Sequence, residues 1–174
     1  ASSPTGEALC AADEQSAASL PPSRRDGFLS RRAVLRRILA RYLGCDPRHV
    51  VIGKTTHGRP FIEHPGTTLD FNLSDSQDTV VLALTGEGHV GIDIEYHRPL
   101  DNPLAIARRV LPASWIRELA VASEHERVRL FFSLWTRFEA CQKARGRGVF
   151  ARHAATPTQC FSEFVAAPGC SAHV

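Results

Sequence analysis

Cysteine pairs and long apolar runs are both missing from the sequence. The five cysteines of the 174-residue chain are scattered, and no two of them form a C-x-x-C pair. An odd, scattered count favours a reducing compartment over a disulfide framework. No apolar run is long enough to cross a bilayer, and no stretch joins a basic start to an apolar centre as secretory leaders do. We therefore expect a cytoplasmic protein without a membrane partner.

A strong charge of one sign is missing as well. The net charge of +3 is too small to indicate a nucleic-acid partner by itself, and only 7% of the residues are aromatic. Arginines crowd residues 31–41, which leaves nucleic-acid binding as a minor alternative. Because this stretch lacks interleaved aromatic residues and any known reader motif, we expect no nucleic-acid partner.

The composition that remains is typical of a globular protein. Hydrophobic residues make up 43% of the chain and charged residues 22%. Such a chain can bury one sizeable core or two small lobes. Residues 1–22 are rich in Ala, Ser and Pro with little periodicity, so we expect a mobile lead-in there.

Hydrophobic periodicity divides the rest of the chain into helices and short strands. It predicts helices over residues 28–43, 104–110, 114–120 and 127–144. It predicts strands over residues 50–53, 61–62, 70–76, 79–84 and 91–95. After residue 148 the strand signals are few, with one strand expected near residues 161–165 and another over 171–174. The C-terminal half therefore looks short of strands.

Two acidic motifs stand out in this pattern. Glu139 and Lys143 are four apart in a predicted helix, and the ordinary interpretation is a surface ion pair worth about 0.3–0.5 kcal/mol. Asp93 and Glu95 are two apart in a predicted strand, so they face the same side while Ile92 and Ile94 face the core. The ordinary interpretation is the polar side of an edge strand. The alternative is a site for a hard cation, since Mg²⁺ binds carboxylates together with water and substrate phosphates.

Together these motifs resemble the signature of the Sfp-type 4′-phosphopantetheinyl transferases. The segment G-I-D-I-E over residues 91–95 precedes W-x-x-x-E-A-x-x-K-A-x-G-x-G over residues 135–148. Residues 58–60 (G-R-P) and 71–76 (F-N-L-S-D-S) resemble two further segments of the family. The Trp and the Glu-Ala pair are similar to the subgroup with Trp and Lys-Glu-Ala in this motif. The resemblance covers residues 28–148.

The resemblance implies both a fold and a reaction. The fold is α+β, with two pseudo-symmetric lobes (residues 23–97 and 98–174, the second apparently shortened). Each lobe has a long helix packed on a small antiparallel sheet, and the site lies in the cleft between them. The reaction is the Mg²⁺-dependent transfer of the 4′-phosphopantetheine arm of coenzyme A to a serine of an acyl or peptidyl carrier protein. It releases 3′,5′-ADP and is carried out by a monomer. A non-catalytic module of the same fold that binds coenzyme A or the carrier remains the alternative.

The resemblance also implies roles for single residues. Mg²⁺ would be held by Asp93, Glu95 and Glu139. Glu139 would also take the serine proton, directly or through water, and Lys143 would stabilise charge on the pyrophosphate. The residues implied to bind the coenzyme are Arg32, Gly58, Arg59, Pro60, Ser74, Asp75 and Lys143. Three arginines would suit an acidic carrier: Arg108, Arg109 and Arg117.

Two positions depart from the pattern of the family. Asp75 stands where the family usually has His, and a carboxylate near a phosphate is repelled unless it is protonated, bridged by a cation or turned away. Phe138 stands where the family usually has Lys, which removes one positive charge. Both departures bear on coenzyme affinity more than on the metal site.

Overall fold

A computed structural model of the chain describes residues 6–146, 162–164 and 169–174, and the chain divides into two units. The first unit comprises residues 1–53 and 61–67, and the second comprises residues 54–60 and 68–174. Helices and small antiparallel sheets occur together, which confirms the predicted α+β class. The pseudo-symmetry of two lobes stays a prediction.

Five α-helices lie within the described residues, and four of them correspond to predicted ones. They are α1 (Ala11–Ala18), α2 (Pro22–Leu43), α3 (Pro103–Val110), α4 (Ala113–Val121) and α5 (Glu124–Ala144). Helix α2 begins at Pro22 rather than at residue 28, and a proline suits the first turn because its missing N–H needs no partner there. Helix α5 begins after Ser123, whose hydroxyl accepts a hydrogen bond from the Glu126 amide.

Seven short strands complete the described elements. They are β1 (Ile52–Lys54), β2 (Pro60–Ile62), β3 (Asp70–Ser76), β4 (Thr79–Thr85), β5 (Asp93–Tyr96), β6 (Glu163–Phe164) and β7 (Cys170–His173). The two late strands agree with the regions predicted near residues 161–165 and 171–174, although residues 161 and 165 lie outside the described part. Among the helices that the structure describes, none combines the length and the apolar character needed to cross a bilayer.

The first unit is organised around a buried ion pair between α1 and α2. The carboxylate of Asp13, in α1, accepts hydrogen bonds from Arg36 Nε at 2.5 Å and from Arg32 Nε at 2.9 Å. Asp13 and Arg36 are both almost completely buried. We expected a mobile lead-in over residues 1–22, whereas residues 11–18 are helical. The helix is attached by charge pairing and not by an apolar stripe, so hydrophobic periodicity could not predict it.

The second unit contains two small antiparallel sheets. Strands β3 and β4 form a hairpin in register from Asp70 opposite Thr85 to Ser76 opposite Thr79, with a two-residue turn between them. Gln77 in that turn has a positive φ of 52°, as hairpin turns of this length require. In the other sheet the strand order is β5-β7-β6, and both pairings are antiparallel.

Side chains of β3 bind the backbone of the segment that contains β5. Four alternate residues of β3 accept hydrogen bonds from four alternate backbone N–H groups, those of Val90, Ile92, Ile94 and Tyr96. The acceptors are, in order, Asp70 (2.9 Å), Asn72 (2.9 Å), Ser74 (3.4 Å) and Ser76 (2.9 Å). We call this set the β3 side-chain ladder. It links the two sheets of the second unit without backbone pairing between β3 and β5.

The helical core of the second unit lies between α3, α4 and α5. Its buried residues are Ala107, Leu111, Leu119, Phe131, Phe132 and Leu134. Trp135 and Phe138 of α5 are partly buried and pack against this cluster. A lysine in place of Phe138 would lose this apolar contact or bury part of its charge.

Candidate functional site

The ammonium group of Lys143 lies at the centre of the predicted site. Lys143 Nζ donates to Asp93 Oδ1 at 2.6 Å, to Ser74 Oγ at 3.0 Å and to the Ile92 carbonyl at 3.1 Å. Ser74 Oγ in turn donates to Asp93 Oδ1 at 2.8 Å. An ammonium group has three donors, so each of them has an acceptor in this cluster. Lys143 thus makes a half-buried ion pair with Asp93 of β5, which differs from the surface pair with Glu139 that is the ordinary interpretation of their spacing.

Gly91 brings the two sequence motifs together. A Cβ atom at this position would overlap the carbonyl oxygen of Ala140 and the amide nitrogen of Ala144. The backbone before β5 therefore touches the last turns of α5, which only a glycine allows. Ile92 and Ile94, on either side of Asp93, are buried as predicted. This close approach carries Asp93 to within reach of Lys143.

One oxygen of Asp93 has no partner. Oδ2 is buried and accepts no hydrogen bond from the described residues. Burial raises the pKa of the Asp93 carboxyl, although the charge of Lys143 and the hydrogen bonds from Lys143 and Ser74 act in the opposite direction. A buried carboxylate oxygen without a donor is unfavourable, so this oxygen is a natural ligand for a cation.

Glu139 carries the largest change in proton affinity at the site. Burial, followed by the negative charges of Asp93 and Glu95, raises the pKa of Glu139 from 4.5 to about 7. Lys143 and a hydrogen bond from Trp135, one turn earlier in α5, act in the opposite direction. A carboxyl group with this pKa exchanges its proton readily near neutral pH.

Glu95 is the third carboxylate of the predicted metal site. It is half-buried, and its Oε2 accepts from Arg98 Nη1 at 3.1 Å. Its charge raises the pKa values of both Asp93 and Glu139. Within the described residues, no three side chains of His, Cys, Asp or Glu form a group that could hold a metal ion as they stand. The three carboxylates interact electrostatically, but in this arrangement Lys143 binds the Asp93 oxygen that faces it.

A small pocket lies beside Lys143. Its volume is about 240 Å³, and three of its lining residues are those of the G-R-P turn. The full lining is His57, Gly58, Arg59, Pro60, Asn72, Leu73, Lys143 and Gly146. Four of the residues predicted to bind the coenzyme therefore share one pocket: Gly58, Arg59, Pro60 and Lys143.

Ser74 and Asp75 lie on opposite faces of β3. Ser74 is buried and contacts Asp93 and Lys143, whereas Asp75 is exposed. Neighbouring side chains on a strand point to opposite faces, so Asp75 points away from the acidic cluster. The repulsion that a carboxylate beside a phosphate would cause is avoided if the phosphate lies on the Ser74 side.

Arg32 belongs to the first unit. Its Nε donates to Asp13 Oδ1 at 2.9 Å, and its guanidinium group lies 5.9 Å from the centre of the Phe28 ring. Its predicted contact with the coenzyme stays a prediction.

The sequence analysis missed three residues that shape the site. Asp70 and Asn72 hold the backbone before Asp93 through the β3 side-chain ladder. Trp135 donates to Glu139, a contact that its place in the W-x-x-x-E-A motif did not reveal. The alternation of short polar residues, D-x-N-x-S-x-S over 70–76, is the signal that could have identified the ladder.

Several known proteins are similar to this chain over most of its length. The family model described as the 4′-phosphopantetheinyl transferase superfamily matches residues 89–162. The chain is 33% identical over 130 residues to the 4′-phosphopantetheinyl transferase HetI of Nostoc sp., a match that covers 74% of this chain and 55% of that protein. It is 35% identical over 140 residues to the 4′-phosphopantetheinyl transferase AcpT of Escherichia coli O157:H7, covering 75% of this chain and 68% of the relative.

A third relative extends the match to another bacterial group. The chain is 30% identical over 117 residues to the 4′-phosphopantetheinyl transferase gsp of Aneurinibacillus migulanus, covering 67% of this chain and 47% of the relative. The chain thus spans between about half and two thirds of the length of these three relatives.

Proposed function

This chain belongs to the 4′-phosphopantetheinyl transferase superfamily, and from that premise we propose that it transfers the 4′-phosphopantetheine arm of coenzyme A to a serine of an acyl or peptidyl carrier protein. The main support within the molecule is the cluster formed by Asp93, Glu139 and Lys143. Acidic and basic groups from two separate sequence motifs meet there, as a reaction between a hydroxyl group and a pyrophosphate requires.

Two features of the described residues support a divalent cation here, although the side chains do not form a metal-binding group as they stand. Asp93 Oδ2 is buried and accepts no hydrogen bond from the described residues, and burial together with the negative charges of Asp93 and Glu95 raises the pKa of Glu139. Carboxylate oxygens are the ligands that Mg²⁺ prefers. We propose that Asp93, Glu95 and Glu139 hold Mg²⁺, which would neutralise charge on the pyrophosphate of coenzyme A when bound.

The chain's own groups account for the movement of the proton and the charge. The serine oxygen of the carrier forms a bond to the β-phosphorus of coenzyme A, and the bond from that phosphorus to the departing 3′,5′-ADP breaks. Glu139 takes the serine proton directly or through water. Because a carboxylate that also binds Mg²⁺ is a weak base, transfer through water, or after release of the metal from Glu139, is favoured. Lys143 stabilises the negative charge on the departing phosphate.

The pocket beside Lys143 has room for one end of the coenzyme. At about 240 Å³ it is smaller than the pockets that enclose whole drug-sized ligands, which occupy about 300–1,000 Å³. We propose that Gly58, Arg59 and Pro60 contact the nucleotide end there. Arg32, Ser74 and Asp75 remain candidate contacts, with Asp75 the least favourable because of its charge.

The carrier protein would approach from α3 and α4. Arg108 and Arg109 in α3 and Arg117 in α4 are all exposed. Positive side chains on this surface would steer an acidic partner and raise its association rate more than its affinity. We further propose a monomer that acts in the cytoplasm, and that its two-lobed, pseudo-symmetric form follows that of the family.

Mass spectrometry of an apo-carrier protein tests the reaction. We expect a mass gain of one phosphopantetheine group when the carrier is incubated with this chain, coenzyme A and Mg²⁺. Asp93→Asn and Glu139→Gln should each lower the rate by about 10²-fold or more, since general acid–base groups contribute about 10²–10⁴-fold. Glu87→Gln, which changes an exposed carboxylate in the turn after β4, is the matched control and should leave the rate unchanged.

The same assay separates the transferase from the alternative. Coenzyme binding without any mass gain across several carriers would indicate a binding module of this fold. Full activity of either Asp93→Asn or Glu139→Gln would contradict the proposed site.

A further inference from the structure

The guanidinium group of Arg59 bridges three separate segments of the second unit. Its Nη2 donates to Asp70 Oδ2 at 2.6 Å and to the Val90 carbonyl at 2.9 Å, and its Nη1 donates to the carbonyl of Lys143. The side chains of Arg59 and Asp70 are only 11% and 13% exposed. The arginine fork thus connects the G-R-P turn with the start of β3, the approach to β5 and the end of α5.

Asp70 completes the hold on Val90. Its Oδ2 also accepts from the Val90 amide at 2.9 Å. Arg59 and Asp70 together therefore bind both the N–H and the C=O of this residue. Val90 immediately precedes Gly91, and the chain reaches Asp93 after one further residue. Fixing both polar groups of one peptide residue restricts the path of the backbone that follows it.

The contact with Lys143 acts at a helix end. The last carbonyl groups of an α-helix have no partner within the helix. The Lys143 carbonyl is satisfied by the Gly146 amide at 3.0 Å and by Arg59. The same lysine extends its Nζ to Asp93 Oδ1 and to the Ile92 carbonyl. Arg59 therefore binds the backbone of Lys143 itself and that of Val90, three residues before Asp93.

We propose that Arg59 and Asp70 form a clamp whose role is to position Lys143 relative to Asp93. Both act as positioning residues for the transfer reaction, so the inference rests on the function proposed above. A displacement of about 1 Å between reacting groups can lower a rate by about 10²-fold. If Arg59 acted only by binding the coenzyme, the reaction would not depend on Asp70. The clamp, in contrast, depends on both residues.

A double-mutant cycle distinguishes the clamp from a direct coenzyme contact. We expect Arg59→Gln and Asp70→Asn each to lower kcat by about 10-fold or more. Asp70→Asn, which removes no proposed coenzyme contact, should keep the KM for coenzyme A within about 3-fold of wild type. The double variant should be no slower than the slower single variant, because residues in one network are not additive. A raised KM in Arg59→Gln together with unchanged kinetics in Asp70→Asn would overturn the clamp.

Arg59→Lys separates charge from geometry. Lysine keeps the positive charge but lacks the planar fork that spans three acceptors. We expect this variant to lose kcat as Arg59→Gln does, and near wild-type kinetics would overturn the proposal. The exposed pair Arg48 and Asp46, with an N–O distance of 3.1 Å, supplies matched controls. Arg48→Gln and Asp46→Asn should leave kcat unchanged.

Hydrogen exchange gives a measurement that does not depend on catalysis. In Arg59→Lys the amides of residues 90–92 and 143–146 should exchange faster than in wild type, while those of the β3–β4 hairpin keep their protection and report an intact fold. Unchanged exchange at residues 90–92 would overturn the clamp. If the wild-type chain transfers nothing to any carrier, the proposed function fails while faster exchange still supports the clamp.

Discussion

The three carboxylates near Lys143 differ in how their charge is balanced. Asp93 is buried and paired with Lys143, and Glu95 is half-buried and paired with Arg98. Glu139 lies among these charges with a hydrogen bond from Trp135, and its pKa is raised to about 7. At the residue scale the site therefore holds one carboxyl group that titrates near neutral pH.

The titration of Glu139 makes the stability of the fold depend on pH. The folded chain binds this proton more tightly than the unfolded chain, because the pKa is raised from 4.5 to about 7. The stability from the protonated group is fully present below pH 4.5 and is lost as pH rises to about 7. Glu139→Gln should remove this loss, so its free energy of unfolding should exceed that of wild type near pH 7 by about 1–2 kcal/mol. This is less than the full shift would give, because Glu139 is partly exposed and solvent screens its charge.

Urea unfolding across this pH range checks the expectation without Mg²⁺ present. Glu118→Gln, in the exposed part of α4, is the control and should follow the wild-type curve. Parallel curves for wild type and Glu139→Gln would show that Glu139 keeps an ordinary pKa.

At the scale of elements, the contact between α5 and the approach to β5 decides whether the site forms. Gly91 has no space for a side chain, since a Cβ would overlap backbone atoms of Ala140 and Ala144. Backbone atoms cannot move aside as the end of a side chain can. Close packing against α5 thus explains why a glycine stands at the start of G-I-D-I-E, independently of any ligand.

Gly91→Ala should therefore separate β5 from α5. We expect a loss of at least about 2 kcal/mol in the free energy of unfolding, since overpacking in a core typically costs about 1–3 kcal/mol. Gly86→Ala is the matched control, because a Cβ at Gly86 meets nothing within 4 Å. Chemical denaturation of both variants measures the difference, and equal stabilities would contradict the close approach.

The sequence predicted the elements whose stabilisation is apolar. Helices α2 to α5 and the strands of the second unit were all predicted from periodicity, with ends shifted by a few residues. Helix α1 was not predicted, because its attachment depends on Asp13 and on arginines that are far away in the sequence. The β3 side-chain ladder was missed for a related reason. Its partners are about 20 residues apart and are hydrogen-bonded through side chains, which neither helical nor strand periodicity reveals.

The sequence indicated which residues lie together in the candidate site more fully than it indicated the contacts between them. Asp93, Glu139 and Lys143 interact in the second unit, as the two motifs implied. The pairing of Lys143 with Asp93 and Ser74 could not be read from spacing, because it depends on how closely Gly91 approaches α5. The phenylalanine at position 138, which departs from the motif of the family, is explained by its packing against the core and not by a ligand.

At the scale of the whole molecule, the first unit includes a segment that the sequence marks as peripheral. Residues 6–18 contain a short 3₁₀ turn and α1, and Asp13 joins them to α2 through Arg32 and Arg36. The Arg36 pair lowers the pKa of Asp13 against the effect of burial. Arg36 also donates to the carbonyl of Val50, so one ion pair connects three parts of this unit.

Asp13→Asn should destabilise the protein although it lies close to the first residue of the chain. Removing one partner of a buried ion pair leaves the other charge buried, which costs about 3 kcal/mol or more. Glu14→Gln, an exposed neighbour in the same helix, is the matched control and should change stability by less than about 0.5 kcal/mol. Thermal unfolding of both variants measures the difference. Equal melting temperatures would mean that this segment adds nothing to the stability of the fold.

The β3 side-chain ladder has a consequence for how family motifs are interpreted. Backbone pairing between strands tolerates almost any residue type, but here Asp70, Asn72, Ser74 and Ser76 must each supply an oxygen at a fixed height above the sheet. Polar residues that a family shares can thus be retained because they determine where a neighbouring strand lies. If every such residue were interpreted as a ligand contact, too many binding residues would be assigned to β3. Their role in holding the segment that contains β5 would then be overlooked.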